Sequence, residues 1–162
     1  DWGDNPLLTA GLPNEHPDKL LPELLSCSRG NASETIAERL HLRRSEPVIL
    51  VRQLWRQRGQ IVAIDEAFLP AERFDGLDTR YLRECGGVYA ALQRHFAMRP
   101  KMLAEQLQAV DLQKEEAKLL QVSLPRNALL ILRLSGNIAA EPIEWRQRYC
   151  LTDGRAYTIK SK

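Results

Sequence analysis

A pattern of short helix, turn, apolar strand and hairpin partner occurs twice along the chain, and this repetition narrows the folds open to it. The first copy runs Ile36-Ala37-Glu38-Arg39-Leu40-His41-Leu42, then Pro47-Val48-Ile49-Leu50-Val51-Arg52, then Ile61 to Leu69. The second runs Glu116-Ala117-Lys118-Leu119-Leu120-Gln121-Val122, then Ala128-Leu129-Leu130-Ile131-Leu132-Arg133, then Pro142 to Cys150. In both, the apolar strand ends on an arginine. Repeated units of this kind bury their apolar faces by stacking on each other. Two of them can lay their hairpins into one antiparallel sheet with a pseudo-symmetric groove between them. The order of elements is α+β, with an antiparallel sheet covered by helices on one face as the expected layering.

Local signals fill in the rest. Asp1 to Leu20 is rich in Pro, Gly, Asn and Asp and reads as an irregular arm or linker, leaving residues 21–162 as the folded domain. Pro22 to Arg29 reads as a strand. Asn31 is the expected cap of the first helix, with Glu34 as its capping-box carboxylate. The period of two places Leu50, Arg52, Leu54 and Arg56 on one side of the strand Pro47 to Arg56, and Ile49, Val51, Gln53 and Trp55 on the other. Arg58-Gly59 makes the hairpin tip, and the return strand carries Ile61, Ala63, Asp65 and Ala67 on one side. A short helix over Leu77 to Cys85, a break at Gly86-Gly87 and a helix from Val88 to His95 follow. The strand Lys101 to Val110 sets Leu103, Glu105, Leu107 and Ala109 on one face, and Asp111 is the expected cap of the helix Leu112 to Leu120. Ala156 to Ile159 reads as a last short strand.

The bulk numbers exclude several classes. A length of 162 residues with 44% hydrophobic and 27% charged residues describes one globular domain. A net charge of +2 argues against this segment alone wrapping a nucleic-acid backbone. No apolar run approaches the roughly 20 residues that span a bilayer, and the first residues do not resemble a signal peptide. The lack of an initiator methionine suggests a segment of a longer chain. Cys27, Cys85 and Cys150 form no CxxC pair, which fits a reducing cytoplasm. His16, His41 and His95 are isolated, so neither a metal nor a cofactor is expected.

Nucleotide-binding glycine motifs, phosphate-loop lysines, HExxH and GxSxG are all missing. What stands out is charge within strands that otherwise read as core: Arg52, Arg56, Asp65, Glu105, Glu144 and Arg146. A charge on a half-buried sheet must be paired or must meet a charged ligand, because stripping its water costs several kcal/mol. The simplest outcome is that these groups pair with each other. Arg52 and Arg56 are the best ligand candidates, since guanidinium groups grip carboxylates and phosphates with two hydrogen bonds.

The string Ala37-Glu-Arg-Leu-His-Leu, then Glu46-Pro47-Val48 through Arg52, then Gly59-Gln-Ile-Val-Ala-Ile-Asp-Glu-Ala-Phe-Leu69-Pro70, resembles the UTRA domain. So do Val88-Tyr89-Ala-Ala-Leu92, Glu105-Gln-Leu-Gln-Ala109, and Pro142-Ile143-Glu144 followed by Arg148-Tyr149. That domain is the effector-binding half of GntR/HutC-subfamily bacterial transcription regulators. The resemblance covers roughly Pro22 to Ile159 and is carried by the order and spacing of the motifs. It implies a chorismate-lyase-like fold, a homodimer, a small-molecule cleft, and a winged helix–turn–helix DNA-binding domain N-terminal to this segment. The family often places arginines on the first hairpin strand, an acid near the Asp65 position, and a Glu followed by a Tyr on the second hairpin. Arg52 and Arg56 stand near the arginine positions, Asp65 replaces the more usual Glu, Glu144 matches, and Tyr149 falls near the aromatic position. The hairpin tip is about one residue short of the family pattern. Gly87 stands where members that bind phosphorylated ligands commonly have serine.

The resulting expectation is a non-enzymatic, cytoplasmic sensor of a small anionic metabolite. Its arginines would fix the ligand's acid, Asp65 and Glu144 would accept from its donors, and Tyr149 would wall the cleft. Glu105 and Arg146 complete the candidate site. Substitution Arg52→Ala is expected to abolish the effector response. Two other readings stay open: a lyase on the same fold with Glu144 or Asp65 as general acid or base, and a purely structural dimerisation domain.

Overall fold

The computed structural model describes residues 9–10 and 20–157. Most of the Asp1 to Leu20 arm, and Thr158 and Ile159 of the expected last strand, lie outside those residues. The elements in chain order are β1 (Thr9–Ala10), β2 (Leu21–Asn31), α1 (Glu34–Leu40), β3 (Pro47–Gln57), β4 (Gln60–Pro70), α2 (Thr79–Cys85), α3 (Val88–Phe96), β5 (Lys101–Asp111), α4 (Lys114–Leu120), β6 (Asn127–Gly136), β7 (Pro142–Cys150) and β8 (Arg155–Ala156). Six strands form one antiparallel sheet in the order β2-β3-β4-β7-β6-β5, and β1 pairs with β8 in a separate ladder. Among the described residues no helix is long and apolar enough to cross a membrane.

The internal repeat is visible in the elements themselves. β2 recurs as β5 and α1 recurs as α4, each at equal length and eighty positions further on. The capping bonds recur with them: Leu42 N–H donates to Ala37 O, and Val122 N–H to Ala117 O. Both helices end in a left-handed residue, His41 and Gln121. In β3 and β6, Gln53 and Arg133 are equivalent, because the eighty-residue offset continues. The alignment of Arg52 with Arg133 expected from the strand ends is therefore one residue out of register, and the two side chains point to opposite faces.

The expected caps are also corrected. Asn31 and Asp111 each close a strand. Ser33 caps α1, its Oγ accepting from Ile36 N at 3.2 Å, which leaves Glu34 inside the first turn rather than at the capping-box position. Gln113 precedes α4 and makes no side-chain cap bond.

Helices cover the sheet on both faces, not one. On the first, α2 and α3 bury Leu82, Val88, Ala91 and Leu92 against Ile49, Val51, Ala67 and Leu69. On the second, α1 sets Ile36, Ala37 and Leu40 against Leu130, Leu132 and Trp145 of the second hairpin. There α4 sets Ala117 and Leu120 against Leu54 and Ile64 of the first. Each copy's helix thus crosses to the other copy's hairpin. The four inner strands are buried on both sides, which is why their apolar runs are nearly continuous, while edge strands β2 and β5 are largely exposed and more polar. Arg58 and Gly59 both take positive φ, 52° and 75°, in the two-residue tip of the first hairpin. This tip requires the glycine's freedom.

Candidate functional site

The strand register brings charged side chains together on the face covered by α2 and α3. Glu105 of β5 lies opposite Arg133 of β6, which lies opposite Arg146 of β7. Arg148, two residues on, lies opposite Asp65 of β4, itself opposite Gln53 of β3. Glu144 enters from β7 opposite Ser135. These residues are buried or nearly so, with Asp65 at 1% and Glu144 at 0% exposure.

Arg133 and Arg146 meet as like charges across the ladder, an arrangement that is unfavourable unless neighbours neutralise it. The neighbours do. Arg133 Nε donates to Glu105 Oε2 at 2.7 Å. Arg146 donates to Glu144 Oε2 at 2.6 Å and to Asp65 Oδ2 at 3.2 Å. Arg148 donates to both oxygens of Asp65, through Nε to Oδ1 and through Nη2 to Oδ2 at 2.7 Å. Trp55 Nε1 donates to Asp65 Oδ2 at 2.7 Å. Rings hold the guanidinium planes: Tyr89 lies 5.0 Å from Arg146 and Trp55 4.9 Å from Arg148. Tyr89 and Ser135 share a hydroxyl–hydroxyl bond of 2.8 Å, and the Tyr157 hydroxyl donates to Glu105 Oε1.

The electrostatics follow from this pairing. Burial pushes the Asp65 carboxyl upward, but the guanidiniums of Arg148 and Arg146 and the Trp55 indole overcome it and hold the group below the usual carboxylate range. Arg146 is likewise penalised by burial, and Glu144 and Asp65 more than offset this, so it stays charged. Burial, with the charge of Glu144 beside it, pushes the Tyr89 phenol up to about 12, so Tyr89 stays protonated at neutral pH. Burial also raises the Cys150 thiol to about 12, leaving it an inert part of the wall. Among the described residues no three His, Cys, Asp or Glu side chains come together as metal ligands.

Of the seven residues expected from sequence, the structure gathers Asp65, Glu105, Glu144 and Arg146. Arg52, Arg56 and Tyr149 stand elsewhere. Arg52 lies on the opposite face, bonded to Glu66 at 3.1 Å. Arg56 bonds Glu23 at 3.2 Å beside a hollow of about 370 Å³ that also borders Arg126 and Leu120. Tyr149 is opposite Leu130 and packs beside α1 and α4. Tyr149 is out of step with Glu144, Arg146 and Arg148 on its own strand and so faces the other way; for Arg52 the cause is a bulge between Trp55 and Arg56, where Arg56 pairs with Ile61 but Trp55 pairs with Ala63. Without it Arg52 would oppose Asp65; with it Gln53 does. Sequence reasoning missed Gln53, Trp55, Tyr89, Arg133, Ser135, Arg148 and Tyr157. For Arg148 the signal was present, since it has the strand parity of Glu144 and Arg146.

A protein-family model for the UTRA domain matches residues 19–154, nearly the whole described chain. The chain belongs to the UTRA domain family. Solved structures agree. This UTRA domain superposes on the ligand-binding domain of a Bordetella bronchiseptica protein assigned to the GntR family of transcriptional regulators, with a TM-score of 0.82 and 29% identity over 88% of this chain and 92% of that one. The C-terminal domain of YurK from Bacillus subtilis gives 0.75 and 22%, over 86% and 95% of the two chains. PhnF from Mycobacterium smegmatis gives 0.75 and 23%, over 89% of this chain and 64% of PhnF. Among curated protein sequences none matches. The six-stranded antiparallel sheet is thus the α+β, chorismate-lyase-like UTRA fold, and the domain is a regulatory ligand-binding domain of the GntR type.

Proposed function

We propose that the chain, residues 21–162 with the arm before them, is the effector-sensing half of a cytoplasmic HutC-type regulator that acts as a homodimer. A small polar metabolite binds on the sheet face that carries Asp65, Glu144 and Arg146. By preferring one arrangement of the dimer it biases the spacing of DNA-reading domains N-terminal to this segment. The observation that carries the reading is the buried charged cluster at the seam between the two hairpins of a UTRA domain. The anionic metabolite expected from sequence rested on Arg52 and Arg56 as the groups that hold its acid. Both are paired with carboxylates away from the cluster, so the proposal is made for a polar metabolite without that restriction.

A lyase on this fold would need Asp65 or Glu144 to carry a proton. Asp65 already accepts from Arg148, Arg146 and Trp55 and is held low, which suits a fixed anion better than a general acid at neutral pH. The test is thermal unfolding of the purified chain across a metabolite library, with recovered ligand identified by mass spectrometry. A saturable rise in Tm with unaltered ligand supports a sensor. Turnover, as of chorismate, would overturn it. Light scattering that finds a monomer with and without ligand removes the dimer from the scheme.

A further inference from the structure

We propose that β5 is the dimer interface: a second copy of this chain lays its own β5 antiparallel along the outer edge of the sheet, about a twofold axis near Gln106. The inference takes the dimer from the proposed function and assigns it a surface.

The internal repeat supplies the comparison that carries it. β2 and β5 are equivalent strands, eighty positions apart, and each closes one end of the six-stranded sheet. An edge strand presents unpaired N–H and C=O groups that another strand can complete, and proteins blunt such edges with proline, charge or a covering element. β2 carries all three devices. Pro22 stands within it and removes a donor. Glu23 and Arg29 place charges along it. α2 packs beside it, with Leu24 and Cys27 against the α2–α3 layer. At the equivalent positions β5 has Met102 for Pro22, Leu103 for Glu23 and Ala109 for Arg29. It contains neither proline nor glycine, and no helix packs beside it to a comparable extent among the described residues. Between its ends the single charge is Glu105, which is turned to Arg133 and Tyr157. Each strand has one bulge, and each exposes two large apolar side chains: Leu21 and Leu25 on β2, Met102 at 53% and Leu107 at 45% on β5. Apolar exposure is thus common to both edges, and protection belongs to β2.

The ends of the strand select a copy of itself as the occupant. A twofold interface is self-complementary, so that if one residue meets another, the second meets the first. β5 begins with Lys101 and ends with Asp111, both exposed and without an ion-pair partner among the described residues. Within one chain roughly 30 Å of strand separates them. Antiparallel pairing about Gln106 brings each Lys101 to the partner's Asp111. A parallel pairing would set lysine beside lysine and aspartate beside aspartate, which is unfavourable.

The test is sedimentation equilibrium of the purified chain and its variants, each first checked for cooperative unfolding. The unaltered chain should dimerise in a concentration-dependent way. Leu107→Lys sets a charge close to the axis and should weaken the dimer at least about tenfold, while Leu25→Lys on β2 should leave it unchanged. Lys101→Glu and Asp111→Lys each bring like charges together at both ends of the interface and should weaken it about tenfold. The two changes in one chain should restore the affinity to within about threefold, a rescue that residues at opposite ends of one strand show only across an interface. A dimer that survives Leu107→Lys, or one weakened by Leu25→Lys instead, overturns the inference and leaves the homodimer standing. Single charge reversals without effect, or a double variant no better than they are, overturn it in the same way. A monomer at every concentration overturns both. If Leu107→Lys fails to fold, the charge exchange at the strand ends decides.

Discussion

Asp65 and Arg146 occupy equivalent positions in the two copies of the repeated unit, and Arg146 donates to Asp65 across the seam between them. Equivalence follows from register: Asp65 is the partner of Gln53, Arg146 is the partner of Arg133, and Gln53 and Arg133 are eighty positions apart. A duplicated sheet brings such positions face to face about its approximate twofold axis, which passes near the pair Glu66 and Gln147. Two like charges there would repel in a dry setting, whereas the opposite pair attracts.

The first prediction concerns this pair. Asp65→Asn keeps the shape but removes the charge that Arg148 and Arg146 face. Breaking a buried ion pair from one side costs about 3–5 kcal/mol. Urea unfolding should show a loss of that order. Trp55→Phe removes the indole bond to Asp65 and also trims a buried ring that packs on Arg148, so it should cost at least about 1.5–3 kcal/mol. A loss under about 1 kcal/mol for Asp65→Asn would show that the cluster contributes little.

The pH dependence of stability carries the same signature. The folded-state pKa of Asp65 lies below its ordinary value of 3.8. A depressed carboxylate contributes its stability in full above the ordinary value and loses it as pH falls through the folded value. The stability difference between the unaltered protein and Asp65→Asn should therefore be flat from neutrality down to about pH 5 and shrink on further acidification. A difference that grows below pH 4 would contradict the assignment.

Arg52→Ala tests the face. The guanidinium is partly exposed and pairs with Glu66 on the side away from the cluster. Such a pair contributes about 0–1 kcal/mol. Stability should change by no more than that, and any ligand that shifts the Tm should bind Arg52→Ala with unchanged affinity. This reverses the loss of response expected from the sequence. A loss of binding would place the effector on the α1–α4 side.

Gly136 offers a test of packing. A Cβ there would lie 2.6 Å from Leu103 Cδ1 and 2.9 Å from the Glu141 carbonyl oxygen. The leucine can rotate away, but the carbonyl belongs to the turn that Asn137 braces, its Oδ1 accepting from Ala139 and Glu141 N–H. Gly136→Ala should cost about 1–3 kcal/mol in denaturant unfolding. Adding Leu103→Ala should recover only part of it, read as a positive coupling in a double-mutant cycle.

The repeat and the α+β layering were legible because hydrophobic period and turn residues act locally: strand, helix and tip positions follow from them with errors of a residue or two at the caps. The cluster was half legible. Asp65, Glu144 and Arg146 stand out as charges in buried strands, and Glu105 as a charge among apolar neighbours on its face. The hairpin tip, about one residue short of the family pattern, left the register of Arg52 and Arg56 open, but nothing in Trp55-Arg56 or Ile61-Val62 announces where the unpaired residue falls. One inserted position flips the relation between two strands, and so Arg52 exchanged places with Gln53. Tyr89 was missed for a different reason: its helix was expected, but the distance from α3 to the strand arginines is a tertiary fact.

The crossed docking of α1 onto the second hairpin and α4 onto the first bears on how the polypeptide matures. A cut between Pro70 and Lys101 would give two fragments, each deprived of the helix that shields its own strands. Neither fragment is then expected to fold alone, and structure should return only on mixing, as fragment complementation. The seam where the charges meet then exists solely in the completed molecule, so a regulator built this way has no half-assembled form that can respond.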